Sequence, residues 1–158
     1  MEKPYYIGVI GAGICSEEVF AIARDTGAEI GRRGWTVICG GLGGVMEGAA
    51  RGCSEAGGLT VGILPGADKS TANPYIQIPL PTGLNEGRNL LIVRTADVLI
   101  AISGGHGTLS EIALALKIGK PVIGLKTWPN IDGVHYVSNV QEAIERVEFI
   151  ALTPSRPW

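Results

Sequence analysis

The segment "ISGGHGTLSE", residues 102–111, joins an apolar run to a helical pattern through three glycines and ends on an acid. Glycine weakens strands and helices alike, so three of them at one junction need a physical reason. At a helix start, free backbone N–H groups and the positive end of the helix dipole attract phosphate. We therefore predict that the glycines let backbone amides surround a phosphate, with a hydroxyl from Thr108. Glu111 would repel phosphate, and we expect it to accept hydrogen bonds from ligand hydroxyl and amino groups.

The same residues allow an interpretation that needs no ligand. Thr108 and Glu111 have the T-x-x-E spacing of a capping box, in which two side chains satisfy backbone N–H groups at a helix start. Such a cap stabilises a helix by about 1 kcal/mol. The sequence leaves both interpretations of Glu111 open, and the flanking glycines favour ligand contact.

Two further glycine-rich turns, "GAGICS" at residues 11–16 and "GGLGG" at residues 40–44, also lie between an apolar run and a helical pattern. The carboxyl ends of parallel strands meet at one edge of a sheet, where ligands bind. Three such turns at one edge predict a site for a phosphorylated ligand. The predicted ligand-binding residues of the three turns are Gly11, Gly13, Ser16, Gly40, Gly41, Gly43, Gly104, Gly105, Gly107, Thr108 and Glu111.

The first turn departs from the fingerprint of nicotinamide dinucleotide sites. Ser16 replaces the third glycine, and Gly40 and Gly41 stand where an acid is expected after the second strand. Dinucleotide binding is therefore disfavoured. A plain N-cap is at least as good an explanation of Ser16 as phosphate contact, and the two roles are compatible.

Apolar runs alternate with helical patterns along the chain, and the runs are continuous, which is typical of a parallel sheet covered on both faces. This predicts a doubly wound, mostly parallel α/β fold of the Rossmann-like type, with helices on both faces and one domain over residues 1–158. The predicted strands are 5–10, 36–39, 59–64, 75–78, 98–102, 122–125 and 134–137. The predicted helices are 17–31, 45–56, 87–94, 108–118 and 140–147.

Composition excludes several classes of protein. The 158 residues are 46% hydrophobic with a net charge of −2, which disfavours a nucleic-acid partner. No apolar run reaches the roughly 20 residues that cross a bilayer, and no secretory signal is visible, so we expect no membrane partner and a cytoplasmic location. The three cysteines lack metal-ligand spacing, so we expect reduced buried thiols and no metal site.

The segment "GGHGTLSE" is similar to the GGxGTxxE motif of the LOG-like, or "lysine decarboxylase-like", Rossmann families. The pair Arg88-Asn89 and the two earlier glycine turns follow the same order as in that superfamily, and the resemblance implies that Arg88 and Asn89 also bind the ligand. The resemblance covers nearly the whole chain. It is strongest to the short bacterial proteins that include molybdenum-cofactor carrier proteins.

This resemblance implies two functions. One is a binding protein for a phosphorylated nucleotide-like ligand, with the molybdenum cofactor or a nucleotide as cargo and no required cofactor. The alternative is a phosphoribohydrolase that cleaves nucleoside 5′-monophosphates, with Arg88 and Glu111 as the catalytic pair. Arg88 would then bind phosphate or polarise the leaving base. A nucleotide-sensing regulatory module is a third, weaker hypothesis.

Departures from the hydrolase pattern favour the carrier branch. The hydrolases usually have an Arg-Lys pair and a proline before the two glycines, whereas this chain has Asn89 and Ser103 there. No lysine lies in a pyridoxal-phosphate context, so the decarboxylase activity is not expected. Apart from the resemblance, Arg88 also fits a solvated helix arginine or a partner of Glu86. The families imply a homodimer or homotetramer.

Overall fold

Apolar runs of four to six residues form the strands of one parallel sheet. The computed structural model describes residues 5–153. The strands are β1 (Tyr6–Gly11), β2 (Thr36–Cys39), β3 (Leu59–Leu64), β4 (Ile78–Pro81), β5 (Val98–Ile102), β6 (Val122–Leu125) and β7 (Val134–Val137). The α-helices are α1 (Glu17–Arg32), α2 (Val45–Glu55), α3 (Arg88–Thr95), α4 (His106–Lys117) and α5 (Val140–Leu152). Short 3₁₀ turns are formed by Lys69–Thr71 and Asn85–Gly87.

The strand order is β4-β3-β2-β1-β5-β6-β7, and every neighbouring pair is parallel. The chain builds outward from β1 to β4, then crosses back to place β5 on the other side of β1. The order therefore reverses between β1 and β5, where the loops from the two carboxyl ends diverge and open a crevice. The predicted doubly wound α/β fold is confirmed, and the sheet is parallel throughout the described residues.

The central strands β1, β2, β5 and β6 are buried on both faces because a layer of helices covers each face of the sheet. Along β5, Val98 and Ile100 belong to the core beneath α1, α2 and α5, whereas Leu99 and Ala101 belong to the core beneath α3 and α4. This explains why the strands appear in the sequence as continuous apolar runs. None of the helices within residues 5–153 has the length and apolar character needed to span a membrane.

Helices α1 and α2 approach each other backbone to backbone. A β-carbon on Gly27 would overlap the carbonyl oxygen of Ala49, and one on Gly52 would overlap that of Arg24. Several glycines of this chain therefore serve helix packing, although the sequence alone associates its glycines with ligand approach. The start of α2 is also bonded to the β1 turn, since the N–H of Val45 donates to the carbonyl of Ala12 at 2.9 Å.

Strand β4 begins later than predicted. The sequence predicts a strand at 75–78, but the structure has it at Ile78–Pro81. The hydroxyl of Thr60 donates to the carbonyl of Tyr75 and accepts from the N–H of Gln77, which holds that segment out of the sheet ladder. The strand contains two prolines, which the edge of a sheet tolerates because one side has no partner.

Gly52→Ala is expected to destabilise the fold by about 3 kcal/mol, because the added methyl overlaps the α1 backbone, even though alanine is the better helix former. The measurement is the urea midpoint of unfolding. Gly66→Ala is the matched control: no atom lies within 4 Å of its added carbon, so we expect a change below about 0.5 kcal/mol. Equal midpoints for the two variants would contradict the close packing of α1 on α2.

Candidate functional site

A cleft of about 510 Å³ opens beyond the carboxyl ends of β1 and β5, where the strand order reverses. This is the usual ligand position in an open parallel sheet, and the volume suits a small organic ligand. The lining residues are Gly11, Ala12, Gly13, Leu42, Met46, Pro65, Asn85, Glu86, Arg88, Asn89, Gly105, Gly107, Thr108 and Glu111.

A somewhat larger groove, about 580 Å³, lies between α1 and α5. Its charged side chains are engaged with one another, since Arg33 pairs with both Glu29 and Glu148. The groove involves the second half of α1, which leads back to the amino end of β2. We therefore take the smaller cleft as the candidate functional site, because glycine-rich backbone and the polar side chains of Arg88 and Glu111 meet there.

Helix α4 begins at His106, two residues earlier than predicted, and Gly105 is its N-cap without any side-chain cap. Thr108 therefore lies inside the first turn and Glu111 in the second, so the capping-box interpretation is wrong. The first N–H groups of α4 have no side-chain acceptor, which makes this helix start a potential anion site.

Glycine occupies the positions of this turn for different reasons. Gly104 has φ +111°, and a β-carbon there would overlap the Thr108 side chain, so the fold itself requires glycine. Gly105 and Gly107 have no positive φ, and no atom lies within 4 Å of a β-carbon built on either. Nothing in the fold demands glycine at these two positions. Their effect is to keep the cleft wall open beside the uncapped helix start.

Arg88 is half-buried at the cleft wall. Its Nη1 donates to the carbonyl oxygens of Gly40 and Ile63, at 2.7 Å each. A β-carbon on Gly40 would overlap Nη1, so glycine at that position makes room for the guanidinium. The interpretations of Arg88 as solvated, or as a partner of Glu86, are therefore wrong. Burial lowers the pKa of Arg88, and the charge of Glu111 partly opposes this.

Glu111 is only 9% exposed, yet its carboxyl lines the cleft. Burial raises its pKa to about 7, and the nearby Arg88 charge acts in the opposite direction. Among residues 5–153 no group forms a hydrogen bond with this carboxyl. A buried acid without a hydrogen-bonding partner is costly unless a ligand satisfies it, which marks this position as a binding or catalytic candidate.

Asn89 connects α3 to the start of α4. Its side-chain amide donates to Ser110 Oγ at 3.1 Å, and the Ser110 hydroxyl donates to the carbonyl of Gly107 at 2.7 Å. Asn89 is as buried as Glu111 and also lines the cleft. Arg88 thus contacts the ends of β2 and β3, and its neighbour Asn89 contacts the first turns of α4.

The structure brings together eight of the predicted ligand residues on the cleft wall: Gly11, Gly13, Arg88, Asn89, Gly105, Gly107, Thr108 and Glu111. The others lie outside the lining, and ligand contact by any of these residues stays a prediction. Ser16 caps α1, its hydroxyl oxygen accepting from the N–H of Val19 at 3.2 Å, so the N-cap prediction is confirmed. Gly41 has φ +76°, which the turn itself requires.

Sequence reasoning missed six lining residues. They are Ala12, Leu42, Met46, Pro65, Asn85 and Glu86. Ala12, Leu42 and Met46 lie in or next to the predicted glycine turns, so position alone was a usable signal for them. The others belong to the long proline-containing connection from β3 to α3, where no local pattern marks the residues that face the cleft. No cluster of three or more metal-ligating side chains occurs in the described part of the chain.

A model of the SLOG cluster4 family matches residues 4–152. The chain belongs to this family. The predicted membership of the LOG-like superfamily is thereby confirmed. A protein of Archaeoglobus fulgidus, described only as uncharacterized, is 46% identical over 90% of this chain and 93% of its own length.

The relatives that share about a third of their residues with this chain include proteins with two kinds of named function. A cytokinin riboside 5′-monophosphate phosphoribohydrolase of Mycobacterium tuberculosis is 31% identical over 74% of this chain and 67% of its own. The molybdenum cofactor binding protein of Rippkaea orientalis is 34% identical, with TM-score 0.88 over 96% of this chain and 99% of its own. The molybdenum cofactor carrier protein of Chlamydomonas reinhardtii has the same identity and TM-score, over 96% and 100%.

The elevated pKa of Glu111 predicts a pH-dependent stability. Its folded-state value, about 7, lies above the ordinary 4.5, so the folded chain holds a proton that the unfolded chain releases. The contribution of this proton to the free energy of unfolding is fully present below pH 4.5, and it is lost as the pH rises through 7. Glu111→Gln, which stays neutral, should therefore gain roughly 3 kcal/mol relative to wild type between pH 4.5 and 8.

Urea unfolding at a series of pH values measures this difference. Glu55→Gln is the control, because hydrogen bonds from Arg51 and Arg24 lower the pKa of that exposed carboxyl and give the opposite sign. Parallel pH profiles for wild type and Glu111→Gln would show that the buried acid is not protonated on folding.

Proposed function

We propose that this protein binds a phosphorylated, nucleotide-like ligand and carries it unchanged, in the manner of a molybdenum-cofactor carrier. The observation that carries the proposal is the pairing of two features in one cleft. The α4 start has no side-chain cap and is left open by Gly105 and Gly107. Beside it, Glu111 is buried without a hydrogen-bonding partner among the described residues.

The ligand phosphate lies at the start of α4. The N–H groups of the first turn point out of the helix end, and the helix dipole favours an anion there. Thr108 lines the cleft within the same turn and adds a hydroxyl. Arg88 uses Nη1 for two backbone carbonyls, which leaves Nε and Nη2 as charged donors for the phosphate.

Glu111 recognises the remainder of the ligand. As a carboxylate it accepts hydrogen bonds from hydroxyl and amino groups, such as those of a ribose, a nucleobase or a pterin. The molybdenum cofactor, as cargo, combines a pterin amino group with a phosphate and so fits this pair of recognition elements. The cleft volume is also in the range of small-molecule sites.

A phosphoribohydrolase is the second candidate function. It is favoured by one observation, namely that Arg88 and Glu111 line the same cleft and influence each other electrostatically. One point opposes it. The chain has Asn89 and Ser103 at the positions where those hydrolases usually have lysine and proline.

Incubation with a panel of nucleoside 5′-monophosphates separates these functions. We expect no free base from any monophosphate, and binding of a nucleotide or of molybdopterin by calorimetry. Base release that is abolished by Glu111→Ala would overturn the carrier function and establish the hydrolase. Absence of both binding and release would overturn both.

Gly105→Val and Gly107→Val are expected to weaken binding at least about 10-fold, because each side chain enters the space beside the helix start. The protein leaves room for a β-carbon at both positions, since no atom lies within 4 Å of it. Ala113→Val is the control, because it introduces the same valine side chain into the same helix at an exposed position outside the cleft lining, and it should leave affinity unchanged. If the glycine variants retain full affinity in calorimetry, the phosphate does not bind at α4.

The cytoplasmic location and the homodimeric or homotetrameric state stay predictions. Leu84, Leu90 and Leu91 are exposed apolar side chains on and before α3. Exposed apolar surface of this kind favours association, so we propose that a second copy packs there.

A further inference from the structure

Three consecutive residues after β6 contact the first turn of α1 and the turn that leads into α4. Lys126 pairs with Glu18 in the first turn of α1, at 2.6 Å. The Thr127 hydroxyl donates to the carbonyl of Ser103 at 2.7 Å, and the Trp128 indole N–H donates to the carbonyl of Gly105 at 2.9 Å. The last two bonds enclose the turn that leads into α4.

That turn needs support from outside its own sequence. Ser103 has φ 55° and Gly104 has φ +111°, so two successive residues lie in the left-handed region. This conformation is strained for a residue with a side chain, such as Ser103. Helix α4 has no side-chain cap that would hold its own start. Strained backbone persists where the surroundings fix it, and residues 127 and 128 supply the contacts that do so here.

The Trp128 bond also sets the direction of the turn. The Gly105 carbonyl accepts from both the indole and the N–H of Leu109, which is the first helical hydrogen bond of α4. Carbonyl and N–H of a trans peptide point in opposite directions. Holding the Gly105 carbonyl toward Trp128 therefore directs the N–H of His106 away from the indole.

Trp128 is itself held from the edge of the sheet. Its carbonyl accepts from the hydroxyl of Tyr136 on β7 at 2.5 Å, and that hydroxyl oxygen accepts from the N–H of Ile131 at 3.0 Å. The indole also lies beside the His106 ring, with centroids 5.8 Å apart. A continuous set of contacts thus runs from β7 through Trp128 to the start of α4.

We infer that Thr127 and Trp128 are positioning residues, which hold the turn at residues 103–105 so that the α4 amides are preorganised for an anion. Neither side chain lines the cleft, so their effect on binding is exerted through the backbone of Ser103 and Gly105. The link to binding rests on the proposed function, whereas the link to backbone order does not.

The first arm of the test uses the free protein. Leu109 donates the hydrogen bond that depends most directly on the Gly105 carbonyl, so its amide exchange by NMR reports the order of the turn. We expect Trp128→Phe and Thr127→Val to speed this exchange about 10-fold, because each removes one donor worth about 1.4 kcal/mol. Thr127→Ser keeps the hydroxyl and should retain wild-type exchange.

The second arm measures affinity for inorganic phosphate and for AMP by calorimetry. The same two variants should bind about 10-fold more weakly, and Thr127→Ser should match wild type. Lys126→Ala and Trp35→Phe are controls. The first removes the exposed ion pair of the neighbouring residue, and the second changes a tryptophan outside the cleft lining. Both should remain within about twofold of wild type.

Wild-type Leu109 exchange in both Trp128→Phe and Thr127→Val would overturn the inference. Faster exchange with unchanged affinity would also overturn it, since the turn would then not control binding. Faster exchange in the two variants, together with a wild-type protein that binds neither phosphate, AMP nor molybdopterin, would leave the positioning of the turn established and would overturn the proposed function instead.

Discussion

The site depends on a carboxyl and a guanidinium that are both withdrawn from water at the point where the strand order reverses. Glu111 has no hydrogen-bonding partner among residues 5–153, and burial is the largest influence on its pKa. Its neighbours toward the core, Ile112 and Ala115, are fully buried and apolar. An apolar residue at 111 would suit the fold equally well, so the acid is explained by chemistry in the cleft rather than by stability.

Arg88 is the counterpart of Glu111 and connects the cleft to the sheet. Its bonds to Gly40 and Ile63 tie the carboxyl ends of β2 and β3 to the start of α3. The two carbonyls hold the guanidinium in one orientation. Under the proposed function, this fixed orientation reduces the entropy cost of binding a ligand phosphate. Gly40, in the second glycine turn, makes room for this arginine.

Much of the fold can be predicted from the sequence, since β2, β3, β5, β6 and β7 have the predicted bounds. Their apolar runs end at glycine, proline or polar residues, which are local signals. The start of α4 was placed wrongly because the T-x-x-E spacing is local, whereas the actual start is held by Thr127 and Trp128, 24 and 23 residues away. Likewise, the position of Arg88 depends on Gly40, which is 48 residues distant.

The glycines show why residue type alone defines this site poorly. Gly52 permits helix packing, Gly40 accommodates an arginine and Gly104 permits a left-handed turn, so each has a cause within the fold. Only where glycine has neither a close neighbour nor a positive φ does a ligand become the better explanation. Gly105 and Gly107 meet that criterion, and they flank the helix start that lacks a cap.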